Sequence, residues 1–175
     1  MSLHVVSKWF LFFFIYSLVG WVWETSFVYF RTGHFENRGL LWGPYLPIYG
    51  IGAVFILFST AHVKNNLWLI FFLGLISATI VEYVGGSLLQ MMFQTRYWDY
   101  RGAFLNIHGH ICLICSLAWG LFSIGLVRWL HPRTAHFLQQ IPTTLLTTLS
   151  ISSLFVIIAD FLLVLQKHWN LFSPK

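Results

Sequence analysis

Charged residues are scarce in this chain. Ten Lys and Arg and five Asp and Glu make up 9% of its 175 residues, whereas 58% are hydrophobic and the mean hydropathy is +0.74. A water-soluble domain of this size cannot bury so many apolar side chains. The shortage of charge therefore excludes an ordinary soluble domain and predicts an integral membrane protein.

Other patterns are missing as well. No segment alternates apolar and polar residues with period two, which excludes a β-barrel wall. No stretch rich in Ser, Pro or like charges separates two domains, and no Gly-rich phosphate loop ending in Lys-Ser or Lys-Thr occurs. The net charge of +5 is scattered over the loops, where anionic lipid headgroups explain it. We expect one membrane domain over residues 1–175, with no cofactor and no nucleic-acid partner.

Five apolar stretches predict five transmembrane helices, because one crossing needs roughly 20 apolar residues. They cover about 9–30, 45–61, 67–92, 107–130 and 145–165. The expected fold class is an all-α polytopic bundle. The first stretch is too long for a signal-peptide core and carries Glu24, so we expect it to be retained.

The same arrangement of charges occurs twice. An apolar helix with one glutamate, Glu24 or Glu82, leads into a loop with an acidic-X-Arg-Gly core, at 36–39 and at 99–102. Each unit holds two crossings, so both copies would enter the membrane in the same direction. We predict a parallel tandem repeat, about 9–61 and 67–130, followed by an extra helix at about 145–165.

Ionisable groups inside membrane helices are costly. An unpaired charge at the bilayer centre costs roughly 2.5 to 3.5 kcal/mol on insertion scales. Glu24 and Glu82 should therefore be protonated or paired with Arg38 or Arg101. Together with Asp160 of the fifth stretch, these groups are expected to line one polar chamber in one half of the membrane. Static pairs that fix helix packing remain an open alternative to a working site.

The second stretch begins irregularly, because Pro44 and Pro47 lack a backbone donor and disfavour helix before them. Free N–H groups at the starts of the second and fourth stretches would attract an anionic group. We take the following residues as candidates for solute binding or proton coupling: Glu24, Glu82, Arg38, Arg101, Asn37, Asp99, Asn106, Tyr49 and Asp160.

A weaker candidate is a metal or haem site at the start of the fourth stretch. His108, Cys112 and Cys115 are spaced by four and three residues, which would place them on one stripe of a continuous helix, and imidazole with thiolate is a common ligand pair. Free cysteine is also a common buried residue, and the Cys-X-X-Cys spacing here reads as the interior of an apolar helix, unlike a redox motif. We favour packing over a metal ion.

Basic residues indicate an orientation. The side of the membrane that holds the two acidic-X-Arg-Gly loops and the C-terminus carries more Lys and Arg than the other side. The positive-inside rule then places those loops in the cytoplasm and the N-terminus outside.

Several motifs resemble one bacterial family. They are Tyr-Ser-Leu-Val-Gly-Trp at 16–21, Asn-Arg-Gly-Leu-Leu-Trp-Gly-Pro at 37–44, Pro-Ile-Tyr-Gly at 47–50, and Trp-Asp-Tyr at 98–100 with Asn106 and Gly109. They look like those of the bacterial ABC-transporter type IV (CmpB-like) membrane proteins, over roughly residues 9–125. The resemblance implies a small multi-span protein of the bacterial inner membrane without an ATP-binding site of its own. The chain departs from the family pattern at Arg101 and His110.

We therefore predict a permease-type protein that moves a small polar or anionic solute, with proton coupling through Glu24 or Glu82. Arg38 and Arg101 would draw the anionic group. The expected partners are the lipid bilayer, the solute, and a second copy or a partner subunit that helps to enclose a path.

Two alternatives remain open. One is a membrane enzyme acting on a lipid headgroup, with an acid as general base and an arginine on the phosphate. It lacks a defined reaction, because no Ser, His and Asp group has the spacing of a nucleophile. The other is a non-transporting accessory subunit.

Overall fold

The structure is a computed structural model that describes residues 3–172, with side chains described up to Trp169. Apart from one isolated bridge between Ile107 and Ile111, its regular structure is helical. The five helices are α1 Leu3–Thr32, α2 Pro47–Ser59, α3 Leu67–Phe93, α4 Leu113–Gln139 and α5 Thr143–Phe172. The expected all-α fold is confirmed for the described residues.

Four of these helices, α1, α3, α4 and α5, are long and apolar enough to cross a membrane. The shorter ones among them have 27 residues, about 40 Å of helix against a hydrocarbon core of about 30 Å. Large apolar side chains cover their outer surface; Phe30 is 86% exposed and Phe155 is 72% exposed. Such a surface requires lipid around it. The chain is therefore a multi-pass protein embedded in a bilayer.

The predicted second span is the one that the structure shortens. α2 has 13 residues, about 20 Å of helix. The loop before it turns back along α1, since the Leu46 backbone N–H donates to the Ser17 carbonyl at 2.9 Å. Ser17 lies about 22 Å along the axis from the end of α1 at Thr32. The described residues therefore form four long helices and one short apolar helix instead of the expected five full-length spans.

The fourth predicted span also begins later than expected. Positive φ angles at Gln94, Leu105 and His108, between 51° and 52°, keep the chain out of a right-handed helix. α4 therefore starts at Leu113. It runs on to Gln139 through a π-helical segment, Leu126–Leu130.

The chain divides into two compact units. The first contains the chain up to Gly50 and the chain from Ile141 onward, and the second is Ile51–Gln140. In the first unit α1 packs against α5, and in the second α3 packs against α4. This division does not follow the boundaries of the expected tandem repeat, which stays a prediction.

Small residues bring α3 and α4 close together. A Cβ added at Gly74 would overlap the side chain of Ser123, and one added at Gly120 would lie 2.5 Å from Cε2 of Phe71. Helices in lipid gain little from hydrophobic burial against each other, so close packing through small residues holds them together.

Replacing Gly74 by Ala tests this packing. Alanine favours a helix over glycine by about 1 kcal/mol, but here its Cβ meets Ser123. We expect the free energy of unfolding to fall by about 1–3 kcal/mol, as in other overpacked cores. Gly52→Ala in α2 is the matched control, because an added Cβ there has no neighbour within 4 Å. Thermal unfolding in detergent measures both variants; equal melting temperatures would contradict the packing argument.

Candidate functional site

In the first unit, Glu24 of α1 pairs with Arg38 of the following loop. Arg38 Nε lies 3.3 Å from Glu24 Oε1, and Arg38 Nη1 lies 3.5 Å from Glu36 Oε2. The side chains of Glu24 and Arg38 are 26% and 27% exposed. The expected pairing of Glu24 with an arginine is confirmed. Arg38 therefore bridges two carboxylates and stays partly exposed.

Asp160 binds the same loop from α5. Its carboxylate accepts hydrogen bonds from the backbone N–H groups of Trp42 and Gly43, at 3.1 and 2.8 Å, and from the Tyr45 hydroxyl at 2.6 Å. The residue is 9% exposed. Three donors on one buried carboxylate stabilise its charged form. Asp160 therefore anchors the irregular backbone before α2.

Two other candidate residues of this unit have packing or loop-fixing contacts. The Asn37 side chain accepts a hydrogen bond from Trp21 Nε1 at 2.7 Å and donates to the Trp42 carbonyl at 2.8 Å. Tyr49 packs against Gly20, where an added Cβ would overlap its side chain. These contacts account for Asn-Arg-Gly and Pro-Ile-Tyr-Gly as structural motifs.

In the second unit, Glu82 lies inside α3 and is 7% exposed. Its Oε1 accepts a hydrogen bond from the Tyr100 hydroxyl at 3.0 Å, and its Oε2 accepts one from Trp119 Nε1 of α4 at 3.1 Å. Glu82 is about 16 Å from the end of α3. Tyr100 reaches it because the loop 94–112 runs back along the helix.

Gly86 makes room for this loop. A Cβ added there would lie 2.8 Å from Nδ1 of His110 and 3.0 Å from Cζ2 of Trp98. The loop also holds itself together: Trp98 Nε1 donates to the His110 carbonyl at 2.8 Å, and Arg96 Nη1 donates to the His108 carbonyl at 2.9 Å. Burial lowers the pKa of His110, which is 6% exposed.

Arg101 was expected to pair with a helix glutamate, and this expectation is wrong. Its Nε lies 3.0 and 2.7 Å from the two carboxylate oxygens of Asp99. The cause is local: the Asp99 carboxylate also accepts the Arg101 backbone N–H at 3.0 Å, and this short turn places the two side chains together. The Arg101 side chain is 68% exposed. Its hydrogen bonds lower the pKa of Asp99 to about 2.

Asn106 also acts within the loop. Its side chain donates to the Ala103 carbonyl at 2.9 Å and accepts from the Gly109 N–H at 3.3 Å. Five of the nine candidate residues lie in the first unit and four lie in the second, and the chamber stays a prediction.

The proposed stripe of His108, Cys112 and Cys115 is wrong. α4 begins only at Leu113, with Cys112 as its N-cap. His108 lies in the loop, where its Nδ1 is 3.0 Å from the Tyr83 hydroxyl. Within residues 3–172, no three His, Cys, Asp or Glu side chains form a group suited to a metal ion. The Cys-X-X-Cys pair lies at a helix start, not inside a helix.

Sequence reasoning missed Tyr100 and Trp119 as the donors to Glu82. Trp119 is 37 residues away along the chain, and a tryptophan in an apolar segment ordinarily indicates packing or an interfacial anchor. Tyr100 lies between two charged residues of the acidic-X-Arg-Gly core, and this position does not indicate a contact with a helix. The contact between Tyr100 and Glu82 forms because the loop 94–112 turns back along α3.

One family model, described as "Putative ABC-transporter type IV", matches residues 11–165. The match covers most of the chain and includes both glutamate-bearing helices, both loops and Asp160. The chain belongs to this family. No curated protein and no solved structure is similar enough to count as a match.

Asp160→Ala tests the anchor. It would leave three donors of the loop without their acceptor, and each buried unsatisfied group costs about 1–3 kcal/mol. We expect the free energy of unfolding to drop by at least about 3 kcal/mol. Tyr45→Phe removes one of the three donors and should cost about 1 kcal/mol. Denaturant unfolding in detergent compares the two; a smaller loss for Asp160→Ala than for Tyr45→Phe would refute the anchor.

Arg101→Gln tests the origin of the low pKa of Asp99. Without the guanidinium, this pKa should rise toward its ordinary value of about 3.9. A carboxyl group whose pKa is lowered in the folded state stabilises the fold above its ordinary pKa, and this stabilisation is lost as pH falls toward 2. In the variant, Asp99 should already become protonated at a higher pH. The chain has two aspartates, and carbon NMR of labelled Asp carboxyls follows both. Unchanged titration of Asp99 would contradict the assignment.

Proposed function

We propose that this ABC-transporter type IV family member is a permease for a small polar or anionic solute and that Glu82 is its protonation site. The observation that carries the proposal is the Glu82 carboxylate, buried in a long apolar helix and hydrogen-bonded at both oxygens. An acid in such a place marks ion and proton pathways in membrane proteins.

Two opposing effects act on Glu82. Burial disfavours its charged form, and donated hydrogen bonds favour it. The balance between these effects depends on the donors Tyr100 and Trp119, so a change in their contacts would change the proton affinity of the carboxylate. This property is what coupling of a proton to a solute requires.

Protonation of Glu82 also has a mechanical consequence. When Oε1 carries a proton it becomes a donor, and the Tyr100 hydroxyl that donates to it at 3.0 Å must turn or move. The Trp119 contact lies on the other oxygen and can remain. Gain of a proton would therefore loosen the loop 94–112 from α3 while α3 and α4 stay together.

Arg38 supports the solute class. It lies between Glu24 and Glu36, at 3.3 and 3.5 Å, and its side chain is about a quarter exposed. An anionic group can replace the more exposed of these carboxylates, Glu36, whose side chain is 55% exposed. Charge-assisted hydrogen bonds from arginine would hold it. Arg101 is no longer part of the proposal, because Asp99 occupies its guanidinium.

Glu82→Gln tests the protonation site. In proteoliposomes with an internal pH dye, we expect the wild type to acidify the lumen when phosphate, sulfate or succinate is added outside. Glu82→Gln should abolish acidification, because glutamine cannot bind a proton. Glu36→Gln, the same change at the exposed carboxylate that the anion would replace, should still acidify the lumen, because glutamine leaves the Arg38 guanidinium to the anion. Infrared difference spectra on changing pH give a second readout that needs no solute.

If none of the three anions is transported, the infrared spectra test whether Glu82 is the protonation site. A protonated-carboxyl band that is lost in Glu82→Gln and kept in Glu36→Gln supports the proposal. Identical bands in the wild type and in Glu82→Gln would refute it.

An accessory subunit is the second candidate, and the contact of Arg38 with two glutamates favours it. Static pairs need opposite charges but no particular order. If the pair is static, exchange of Glu24 and Arg38 for each other should preserve assembly and activity of the complex with the partner subunit. If Arg38 binds the solute, the same exchange should abolish uptake. Uptake in cells that express the exchanged variant distinguishes the two functions.

A further inference from the structure

The two cysteines lie side by side at the start of α4. Cys112 is the N-cap, with extended backbone at φ −149° and ψ 159°, and Cys115 lies in the first turn. Their sulfur atoms are 2.9 Å apart, with the Cys112 thiol donating to Cys115. Both are free thiols. Cys-X-X-Cys is the spacing of dithiols that close into an internal disulfide.

The two sulfur atoms differ in access. Cys112 is 2% exposed, whereas Cys115 is only partly buried. A reagent therefore reaches Cys115 first. Cys112, held against it, is placed to attack any bond that forms there.

A line of hydrogen bonds leads from the thiols to a carboxylate. The Tyr100 hydroxyl lies within hydrogen-bonding distance of Cys115 and donates to Glu82 Oε1 at 3.0 Å. When Tyr100 gives its proton to Glu82, its oxygen can take up the proton of Cys115. A proton that leaves this thiol can thus pass through Tyr100 to Glu82.

We propose that Cys112 and Cys115 form a redox-active dithiol that reduces small disulfide compounds. The Cys115 sulfur, after giving its proton through Tyr100 to Glu82, attacks one sulfur of a disulfide RSSR, and the first RS⁻ leaves. The Cys112 thiol then attacks the Cys115 sulfur of the mixed disulfide, and its proton passes to the second RS⁻ as that group leaves. Both leaving groups take up a proton. Two electrons pass to RSSR, which gives two RSH and an internal Cys112–Cys115 disulfide.

The experiment uses the purified full chain in lipid nanodiscs with oxidised glutathione as the probe. The chain has two cysteines, so a maleimide-polymer gel shift counts all of its thiols. The reduced protein should take two labels, the oxidised protein none, and dithiothreitol should restore both. Intact mass should show the loss of two hydrogen atoms. Retention of both labels, or a final product with bound glutathione, would overturn the proposal.

Single variants test the order of attack. Cys112→Ser leaves the accessible thiol without its partner and should accumulate a stable mixed disulfide with glutathione. Cys115→Ser leaves the buried thiol and should react at least about tenfold more slowly. The reverse order would overturn the assignment of Cys115 as the attacking sulfur. Size-exclusion chromatography verifies that both variants are folded.

Tyr100→Phe tests the proton line. The variant should form the disulfide about a hundredfold more slowly, at the lower end of the range for loss of a positioned proton acceptor. Tyr83→Phe is the matched control, because Tyr83 also contacts the loop but bonds to His108. Equal rates in the two variants would refute the role of Tyr100. These assays read thiols alone, so their result does not depend on solute transport.

Discussion

Backbone groups that enter a membrane must find their hydrogen bonds inside the protein, because lipid offers none. Two loops of this chain turn back along the helix that precedes them, and each needs an acceptor or donor from a helix. In the first unit Asp160 receives the N–H groups of Trp42 and Gly43. In the second unit Glu82 receives the Tyr100 hydroxyl. Asp160 thus satisfies backbone groups of one loop, and Glu82 holds the other loop through a side chain.

The three membrane acids consequently differ in their chemistry. Asp160 is satisfied by three donors and is a structural group. Glu24 is a part-exposed ion-pair partner that solvent can reach. Glu82 is buried, and its donors come from a loop and a neighbouring helix. Protonation of Glu82 would change the contact with Tyr100, which joins the loop 94–112 to α3.

Sequence reasoning predicted much of the helical architecture. The free energy of transferring a long apolar stretch into the bilayer is large and adds up over its residues. The sequence therefore placed α1, α3 and α5 to within about six residues of their bounds. The pairing of Glu24 with Arg38 followed from the cost of a lone charge in lipid. The start of α4 was predicted about six residues too early, because it depends on the return path of the loop 94–112. Turns at Leu105 and His108 have no signal in hydropathy.

The Asp160 anchor sets an order of events during synthesis. A ribosome delivers the Trp42–Tyr45 backbone more than a hundred residues before the carboxylate that completes it. Until α5 arrives, those donors need water, a lipid headgroup or an insertion factor as a temporary substitute. The loop before α2 can therefore reach its final form only after α5 has been made. Its folding is a late step that follows membrane insertion.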